Sequence, residues 1–383
     1  MTTRRYLFET EEHASLREQA RRFAEHEIRP HALRWEAEGG FPAELARKAA
    51  EAGLLGLGYP ESTGGTGGDI THAIVASEEL VLAGHCVGAV AGLGSHAIAL
   101  PPIVRFGTPE QIRQFVEPVL RGEKIAALAV TEPGTGSDVA SIRTRAVRDG
   151  DSYVIDGAKT FITSGTRADV VTVAVRTGGP QHAGLSIVVV ERGTPGFSVA
   201  RKLDKMGWCS SDTAELVFET CRVPAANLIG EENAGFFALM TNFVSERLYL
   251  AAQCVAVAEL AYRESVEYAR QREAFGRKLK GFQVTRHKLA EMATRIAAAR
   301  ALTGEVAIRH VRGEATPSLA AMAKNTASDM CSFVVDQAVQ IHGGYGYMRE
   351  YTVERLYRDA RIYSIGGGTR EVMNEIIAKA EDD

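Results

Sequence analysis

A turn rich in glycine and serine follows an apolar segment in the first half of the chain and could bind an anion. It reads Thr131-Glu132-Pro133-Gly134-Thr135-Gly136-Ser137-Asp138 and comes directly after Leu128-Ala129-Val130. Successive backbone N–H groups in such a turn can surround a phosphate, although an ordinary surface turn has the same composition. No Gly-Lys-Ser/Thr follows, and no Gly-x-Gly-x-x-Gly opens a helix, which disfavours P-loop and Rossmann sites.

The cysteines and histidines offer neither a metal site nor a nucleophile. The five cysteines show no Cys-x-x-Cys spacing, and the chain has no Gly-x-Ser-x-Gly motif. His342 stands before two glycines, but no second ligand lies at metal-binding spacing. We therefore expect a hydrogen-bonded histidine there and no metal. Scattered cysteines, odd in number, indicate a reducing compartment.

Composition excludes several classes of protein. The 383 residues have a formal net charge of −4, which gives no broad positive field for nucleic acid or anionic lipid. The N-terminal residues lack the apolar segment of a secretory signal. We expect no apolar run long enough to span a bilayer. These features predict a cytoplasmic protein that associates with neither nucleic acid nor membrane.

The periodicity of apolar residues changes twice and predicts three domains, 1–124, 125–234 and 235–383. The first has helical spacing and the second has short β-branched segments. No segment between those strands is long enough for a crossover helix, so we expect an antiparallel sheet. In the third, long helices are predicted over 236–270, 283–312, 317–341 and 369–380, which favours a four-helix bundle.

Several motifs spread over essentially the whole chain resemble those of the acyl-CoA dehydrogenase family. They are Thr131–Asp138, Phe161-Ile162-Thr163-Ser164-Gly165, Asp212–Leu216, Arg272-Glu273-Ala274-Phe275-Gly276 and Gln340–Tyr347. The resemblance implies an α+β fold: an N-terminal all-α domain, a central antiparallel β domain and a C-terminal four-helix bundle. It also implies FAD as cofactor and a homotetramer in which the flavin site is shared between subunits.

The resemblance assigns two groups of residues to FAD. In one subunit these are Leu128, Val130, Thr131, Gly136, Ser137, Phe161, Thr163, Thr369 and Glu371. Within this group, Val130 and Thr131 should meet the pyrimidine end of the flavin, Thr163 should lie near N5, and Ser137 should bind the pyrophosphate close to the acyl-CoA. The neighbouring subunit should supply Arg272, Phe275, Gln283, Gln340, Ile341, Gly343 and Gly344. There Arg272 can pair with the pyrophosphate, and Phe275 offers a face for adenine.

The expected reaction needs a base, and the usual position for it is occupied by Gly367. Many family members carry a glutamate two residues before the threonine aligned with Thr369. Gly367 can still donate its N–H to the thioester carbonyl but cannot remove a proton. The isovaleryl-CoA and long-chain acyl-CoA branches, which this chain resembles, place the glutamate on the first long C-terminal helix. Glu246 fits that motif, although most helical glutamates merely pair with a neighbour; Val244, Ser245 and Arg247 should contact the substrate.

The sequence therefore predicts FAD-dependent oxidation of an acyl-CoA to the trans-2-enoyl-CoA, with electrons passed to an electron-transferring flavoprotein. Two alternatives share the fold: an oxygen-using acyl-CoA oxidase and an acyl-carrier-protein dehydrogenase. A third is a non-catalytic acyl-CoA binder that lost its base at Gly367, against which Glu246 argues. A nucleic-acid-binding relative is disfavoured by the charge. The length and branching of the acyl chain stay open.

Overall fold

Two helical regions enclose a β-sheet in the computed structural model, which describes residues 5–381. The N-terminal region contains helices α1 (Glu11–Phe23), α2 (Ala32–Glu38), α3 (Glu44–Glu51), α4 (Ile70–Gly84), α5 (Val87–Leu93), α6 (His96–Ala99), α7 (Pro101–Phe106), α8 (Pro109–Gln111) and α9 (Glu117–Leu120). Local sequence explains several of their ends. At α8, for example, the Thr108 N–H donates to Gln111 Oε1 at 2.8 Å and Thr108 Oγ1 accepts from the Gln111 N–H at 3.3 Å, which satisfies two end groups reciprocally.

The central region is one eight-stranded sheet. Its strands are β1 (Ala126–Ala129), β2 (Arg145–Asp149), β3 (Ser152–Thr163), β4 (Val170–Arg176), β5 (Leu185–Glu191), β6 (Phe197–Lys202), β7 (Thr213–Pro224) and β8 (Leu228–Ile229). The order across the sheet is β6-β7-β3-β2-β4-β5-β8, and β1 also pairs with β4. Alternate residues of β4 and β5 join two different apolar clusters, one of which includes helical residues such as Ile103 and Leu239. Both faces of these strands are therefore buried.

The expectation of a purely antiparallel sheet is wrong at β4. β1 pairs with β4 in parallel, and β2 meets β4 in parallel at Arg145 and Arg176; the other strand pairs are antiparallel. A parallel pair needs a long crossover but not necessarily a helix. The β2–β3 hairpin lies within the chain between β1 and β4 and provides that length.

The C-terminal region contains the long helices α10 (Gly235–Gln271), α11 (Gln283–Val311) and α12 (Pro317–His342), then α13 (Thr352–Ala360) and α14 (Arg370–Glu381). A small hairpin of β9 (Glu273–Ala274) and β10 (Arg277–Lys278) connects α10 to α11. The helices α10, α11 and α12 pack on one another, and α14 packs on α12. α13 was not predicted. One large apolar cluster joins these helices to α1, α4 and α5 of the N-terminal region, so the two helical regions share a core.

One apolar segment corrects the expectation about membranes. Val87–Phe106 spans 20 residues with a mean hydropathy of 1.6, enough by length and composition to cross a bilayer. In the structure 67% of it is buried, and it is divided into α5, α6 and α7. Its apolar side chains contact the protein interior, as in the core of a folded domain.

Candidate active site

Glu246 of α10 and Gly367, in the loop before α14, lie side by side. A Cβ atom placed on Gly367 would be 3.4 Å from Glu246 Oε1 and 2.5 Å from Leu250 Cδ1, one helical turn further along. The backbone of Gly367 has φ +64°, a conformation that glycine adopts without the cost a side chain adds. Because Gly367 has no side chain, it leaves room for the Glu246 carboxylate of α10.

The Glu246 carboxyl group is buried, and Oε2 has no hydrogen-bond partner in the described part of the chain. Burial raises the pKa of this carboxyl to about 6, although the charges of Arg247 and Lys324 oppose the rise. A buried carboxylate without donors prefers its protonated form. Glu246 is therefore a group that can hold or release a proton close to neutral pH.

Two buried cations hold the glycine loop beside Glu246. Arg247 Nε donates to the Gly367 carbonyl oxygen at 3.4 Å, and Lys324 Nζ from α12 donates to the Gly368 carbonyl oxygen at 2.6 Å. Among the described residues no hydrogen bond is made by the Gly367 N–H. A backbone N–H held in this way can donate to a thioester oxygen.

Most of the flavin residues predicted within one subunit lie around the turn after β1 and the end of β3. Thr160, next to Phe161, donates its N–H to the Thr131 carbonyl oxygen at 2.9 Å and so ties the turn to β3. Phe161 sits at an irregularity in the β3–β7 pairing with φ +61°, and its side chain is 69% exposed. Leu128 lies on β1, Thr163 ends β3, and Gly136 and Ser137 are exposed on the turn.

The turn after β1 and the segment of α10 before Glu246 pack against the same apolar cluster. Leu128, Val130 and Phe243 are half-buried and pack against the same cluster, and Phe243 lies one helical turn before Glu246. Thr369, close in the chain to Gly367, accepts the Val372 N–H on its Oγ1 at 3.3 Å, which helps to begin α14. Three more predicted residues belong to the same subunit's part of the site. Val244 is half-buried, and the Ser245 hydroxyl is 3.3 Å from His310 Nε2. Glu371 is exposed on α14.

The second group of flavin residues lies in a different place. Arg272, Ile341, Gly343 and Gly344 line a cavity of about 520 Å³ together with Tyr268, Leu279, His342, Tyr345 and Met348. His342 Nδ1 donates to the Ala338 carbonyl oxygen at 2.8 Å, and the ring stacks on Tyr268, so it is a hydrogen-bonded histidine. Phe275 is 95% exposed, and Gln283 and Gln340 are exposed nearby along α11 and α12.

Within one chain the Arg272 cavity lies far along the long helices from Glu246. Along α12, Lys324 and His342 are 18 residues apart, which at about 1.5 Å per residue is roughly 27 Å. Along α10, the 26 residues from Glu246 to Arg272 correspond to roughly 39 Å. The Arg272 cavity is therefore remote from Glu246 within the subunit.

The residues of both groups fit FAD. In the first, the Thr131 N–H makes no hydrogen bond within the described residues, and Cβ atoms on Gly134 or Gly136 would meet nothing within 4 Å, so backbone donors are accessible to an anion. In the second, a guanidinium, exposed aromatic rings and glycine backbone suit a pyrophosphate and an adenine.

Two buried lysines escaped the sequence analysis. Lys324 shares a helix face with the buried residues Ala320, Ala327 and Cys331, and it is itself fully buried. Lys159, also fully buried, donates to Val130 O and to Glu132 Oε1, both at 2.9 Å. A lysine at an apolar position of helical spacing was the available signal for Lys324.

Family models of the acyl-CoA dehydrogenases match the chain in three parts. The N-terminal domain matches residues 10–123, the middle domain 127–221 and the C-terminal domain 233–381. The mitochondrial long-chain specific acyl-CoA dehydrogenase of Sus scrofa is 42% identical over 373 residues, which cover 96% of this chain and 86% of that protein.

Solved structures of acyl-CoA dehydrogenases are similar to this chain over nearly its whole length. An acyl-CoA dehydrogenase from Geobacillus kaustophilus is 42% identical with a TM-score of 0.94, over 99% of this chain and 100% of the other. A glutaryl-CoA dehydrogenase from Mycobacterium smegmatis in complex with FADH2 is 25% identical with a TM-score of 0.91, over 97% and 95% of the two chains. The predicted fold and the prediction of FAD are confirmed. The chain belongs to the acyl-CoA dehydrogenase family of FAD-dependent oxidoreductases, as its motifs predict.

Proposed function

We propose that this enzyme removes the α-proton of an acyl-CoA with Glu246 while the β-hydrogen leaves as hydride, giving the trans-2-enoyl-CoA. The observation that carries the proposal is the 3.4 Å between Glu246 Oε1 and the position of a Cβ on Gly367. A carboxylate from α10 thus reaches the space that a side chain at position 367 would enter. The base can therefore come from α10 and act at the same place as a side chain at position 367 would.

The residues around Glu246 suit proton abstraction from a thioester. A general base works best when its pKa is near the working pH, and burial raises the pKa of Glu246 to about 6. The Gly367 N–H, with its loop held by Arg247 and Lys324, would donate to the thioester oxygen as negative charge develops there. Bound FAD supplies the hydride acceptor.

A flavin site shared between two subunits requires an oligomer, for which a homotetramer is proposed with a dimer as the alternative. Val130 packs against the same apolar cluster as Phe243, one turn before Glu246, whereas Arg272 follows the far end of α10 and Gly343 follows the end of α12. A second copy must bring its Arg272 cavity to the first copy's turn if both groups bind one FAD. Light scattering of the holoenzyme should give four subunits. A monomer with full FAD content would contradict the shared site.

Electron-transferring flavoprotein is the proposed acceptor, and a cytoplasmic location is proposed with it. The five cysteines are free thiols, as expected in a reducing compartment. If reduced enzyme is reoxidised rapidly by oxygen, the enzyme is an oxidase; if it passes electrons to electron-transferring flavoprotein and reacts slowly with oxygen, the proposal stands.

An anaerobic titration of the yellow holoenzyme with acyl-CoA thioesters tests the activity. The panel runs from short branched to long straight chains, and flavin bleaching is followed at each addition. Bleaching by one class establishes dehydrogenation and names the acyl group. Binding of every thioester without bleaching would contradict the proposal, and bleaching only by a carrier-protein thioester would identify the acyl-carrier-protein dehydrogenase.

A further inference from the structure

Lys324 is a fully buried lysine on α12, about two turns after the helix begins at Pro317. Its Nζ donates to the Gly368 carbonyl oxygen at 2.6 Å. Its Cε and Glu246 Oε1 lie 3.6 Å and 3.4 Å from the same point, the position of a Cβ on Gly367. The ammonium thus bonds the glycine loop, and both its stem and the Glu246 carboxyl lie beside Gly367.

The charges that face Lys324 come mostly from α10. They are Glu246, Arg247 and the thiol of Cys254, while the glycine loop brings no ionisable side chain beside it. Burial raises the pKa of Cys254 well above its usual value, so this thiol stays neutral. Glu246 is then the anion next to Lys324, and Arg247 is the second cation next to Glu246.

Burying a lysine is costly unless the charge gains something in return. Burial lowers the pKa of Lys324 to about 8, against the attraction of Glu246, so the side chain still carries its charge near neutral pH. A neutral donor would make the single hydrogen bond to the Gly368 carbonyl oxygen equally well. The charge itself, placed beside a base that must ionise, needs a separate explanation.

We propose that Lys324 is a positioning residue of the reaction, which holds the Gly367–Gly368 loop beside Glu246 and supplies the cation that favours the ionised base. This inference rests on the proposed role of Glu246. Opposite charge favours the ionised form of a carboxyl group, and a fixed loop keeps the Gly367 N–H in place for the thioester oxygen. The lysine acts through these two groups and need not touch the substrate.

The experiment measures the pH profile of kcat/KM for Lys324→Met and Lys324→Gln holoenzymes. Methionine removes both the charge and the donor, whereas glutamine keeps an N–H donor without the charge. We expect the acid limb to move to higher pH by about one unit in both variants, which lowers kcat/KM about tenfold below the limb. The rate on the plateau should fall more in Lys324→Met than in Lys324→Gln.

Lys205→Met is the matched control. Lys205 is half-buried, donates to Ser211 O and Thr213 Oγ1, and burial lowers its pKa to about 8 as it does for Lys324. Lys205 is not among the charges that act on Glu246, so its loss removes a comparable lysine but should leave the acid limb in place. A limb that moves equally in Lys205→Met would show a general structural effect and overturn the proposal.

A measurement independent of turnover covers variants that are too slow to assay. Difference infrared spectroscopy follows the carboxylic-acid C=O band that disappears in Glu246→Gln, and its titration should move to higher pH in Lys324→Met. An unchanged band titration or an unchanged acid limb would overturn the inference. If Glu246→Gln retains wild-type turnover, the proposed function fails instead, so the two failures are distinguishable.

Discussion

Glu132, in the turn after β1, and Glu246, on α10, are both buried carboxyl groups, yet their surroundings differ. Glu132 accepts hydrogen bonds from the Arg143 and Thr144 N–H groups at 2.8 Å and from Lys159 Nζ at 2.9 Å. Burial alone would raise its pKa, but the Lys159 charge and these donors lower it. Burial does raise the pKa of Glu246, because its neighbouring cations bond the loop carbonyls instead.

The comparison shows that the number of donors, more than burial, separates a structural carboxylate from a base. Three donors fix Glu132 as an anion that holds the turn together. Oε2 of Glu246 lacks a donor in the described structure, so this group can take up a proton at small cost. The same two residue types, a buried glutamate and a buried lysine, thus serve structure at one place and chemistry at the other.

Glu246→Gln should give the largest effect, a fall in the rate of flavin reduction by about 10³-fold, within the range for a general base. Glutamine keeps the shape but cannot accept the proton. Anaerobic stopped-flow with the best acyl-CoA measures the rate, and Glu267→Gln, on the exposed face of the same helix, is the control. A rate for Glu246→Gln within a few-fold of wild type would remove Glu246 from the mechanism.

Glu132→Gln should affect stability. It should lower the free energy of unfolding by about 3–5 kcal/mol, because it leaves the buried Lys159 ammonium without its anion. Glu246→Gln should cost less than Glu132→Gln, because Arg247 and Lys324 keep their hydrogen bonds to the carbonyls of the glycine loop and the carboxyl that is lost lacks a donor. Urea unfolding of both variants gives the comparison. Equal losses of stability would contradict the distinction between Glu132 as a structural carboxylate and Glu246 as a base.

Gly367→Ala should slow flavin reduction on the order of ten- to a hundredfold, because its Cβ would lie 2.5 Å from Leu250 Cδ1 and crowd this side chain, one turn from Glu246 on α10. Backbone strain adds about 1–2 kcal/mol to the loss of stability. Gly313→Ala is the matched control, since Gly313 has φ +73° but nothing within 4 Å of its Cβ position. Both variants should lose stability, and only Gly367→Ala should lose rate; a similar rate loss in Gly313→Ala would contradict the crowding.

The pH dependence of kcat/KM should show the smallest effect, an acid limb near pH 6. Glu246 works as the carboxylate, and its pKa is raised to about 6, so activity is full above this pH and falls about tenfold per unit below it. Glu132, whose pKa is lowered, stays ionised through this range and adds no second limb. A limb below pH 5 would show that burial does not control the base.

Long helices were the most predictable part of the fold. The prediction of 236–270 agrees with α10 at Gly235–Gln271 to within one residue at each end. A long helix repeats the helical spacing of apolar residues over many turns, so the signal is clear even where single residues are ambiguous. The short helix α13 and the parallel β1–β4 pair escaped prediction. A short element and a pairing across forty residues depend on tertiary neighbours that local patterns do not contain.

Within the candidate site, motifs pointed to Glu246 and Gly367, but only the fold shows that they are neighbours. The two lysines escaped prediction for the same reason. Lys324 bonds a carbonyl 44 residues away and Lys159 one 29 residues away, and a lysine in a sequence is usually a solvated side chain. Whether it is buried, and which acceptor it meets, follows from the packing of whole helices and strands.

Exchange of the α-hydrogens of 3,3-dimethylbutyryl-CoA in heavy water tests the role of Glu246 most directly. The β-carbon of this thioester carries no hydrogen, so no hydride can leave and proton abstraction is observed alone by proton nuclear magnetic resonance. We predict that wild-type and Glu267→Gln holoenzymes exchange these hydrogens and that Glu246→Gln does not. Exchange by Glu246→Gln at the wild-type rate would show that another group is the base.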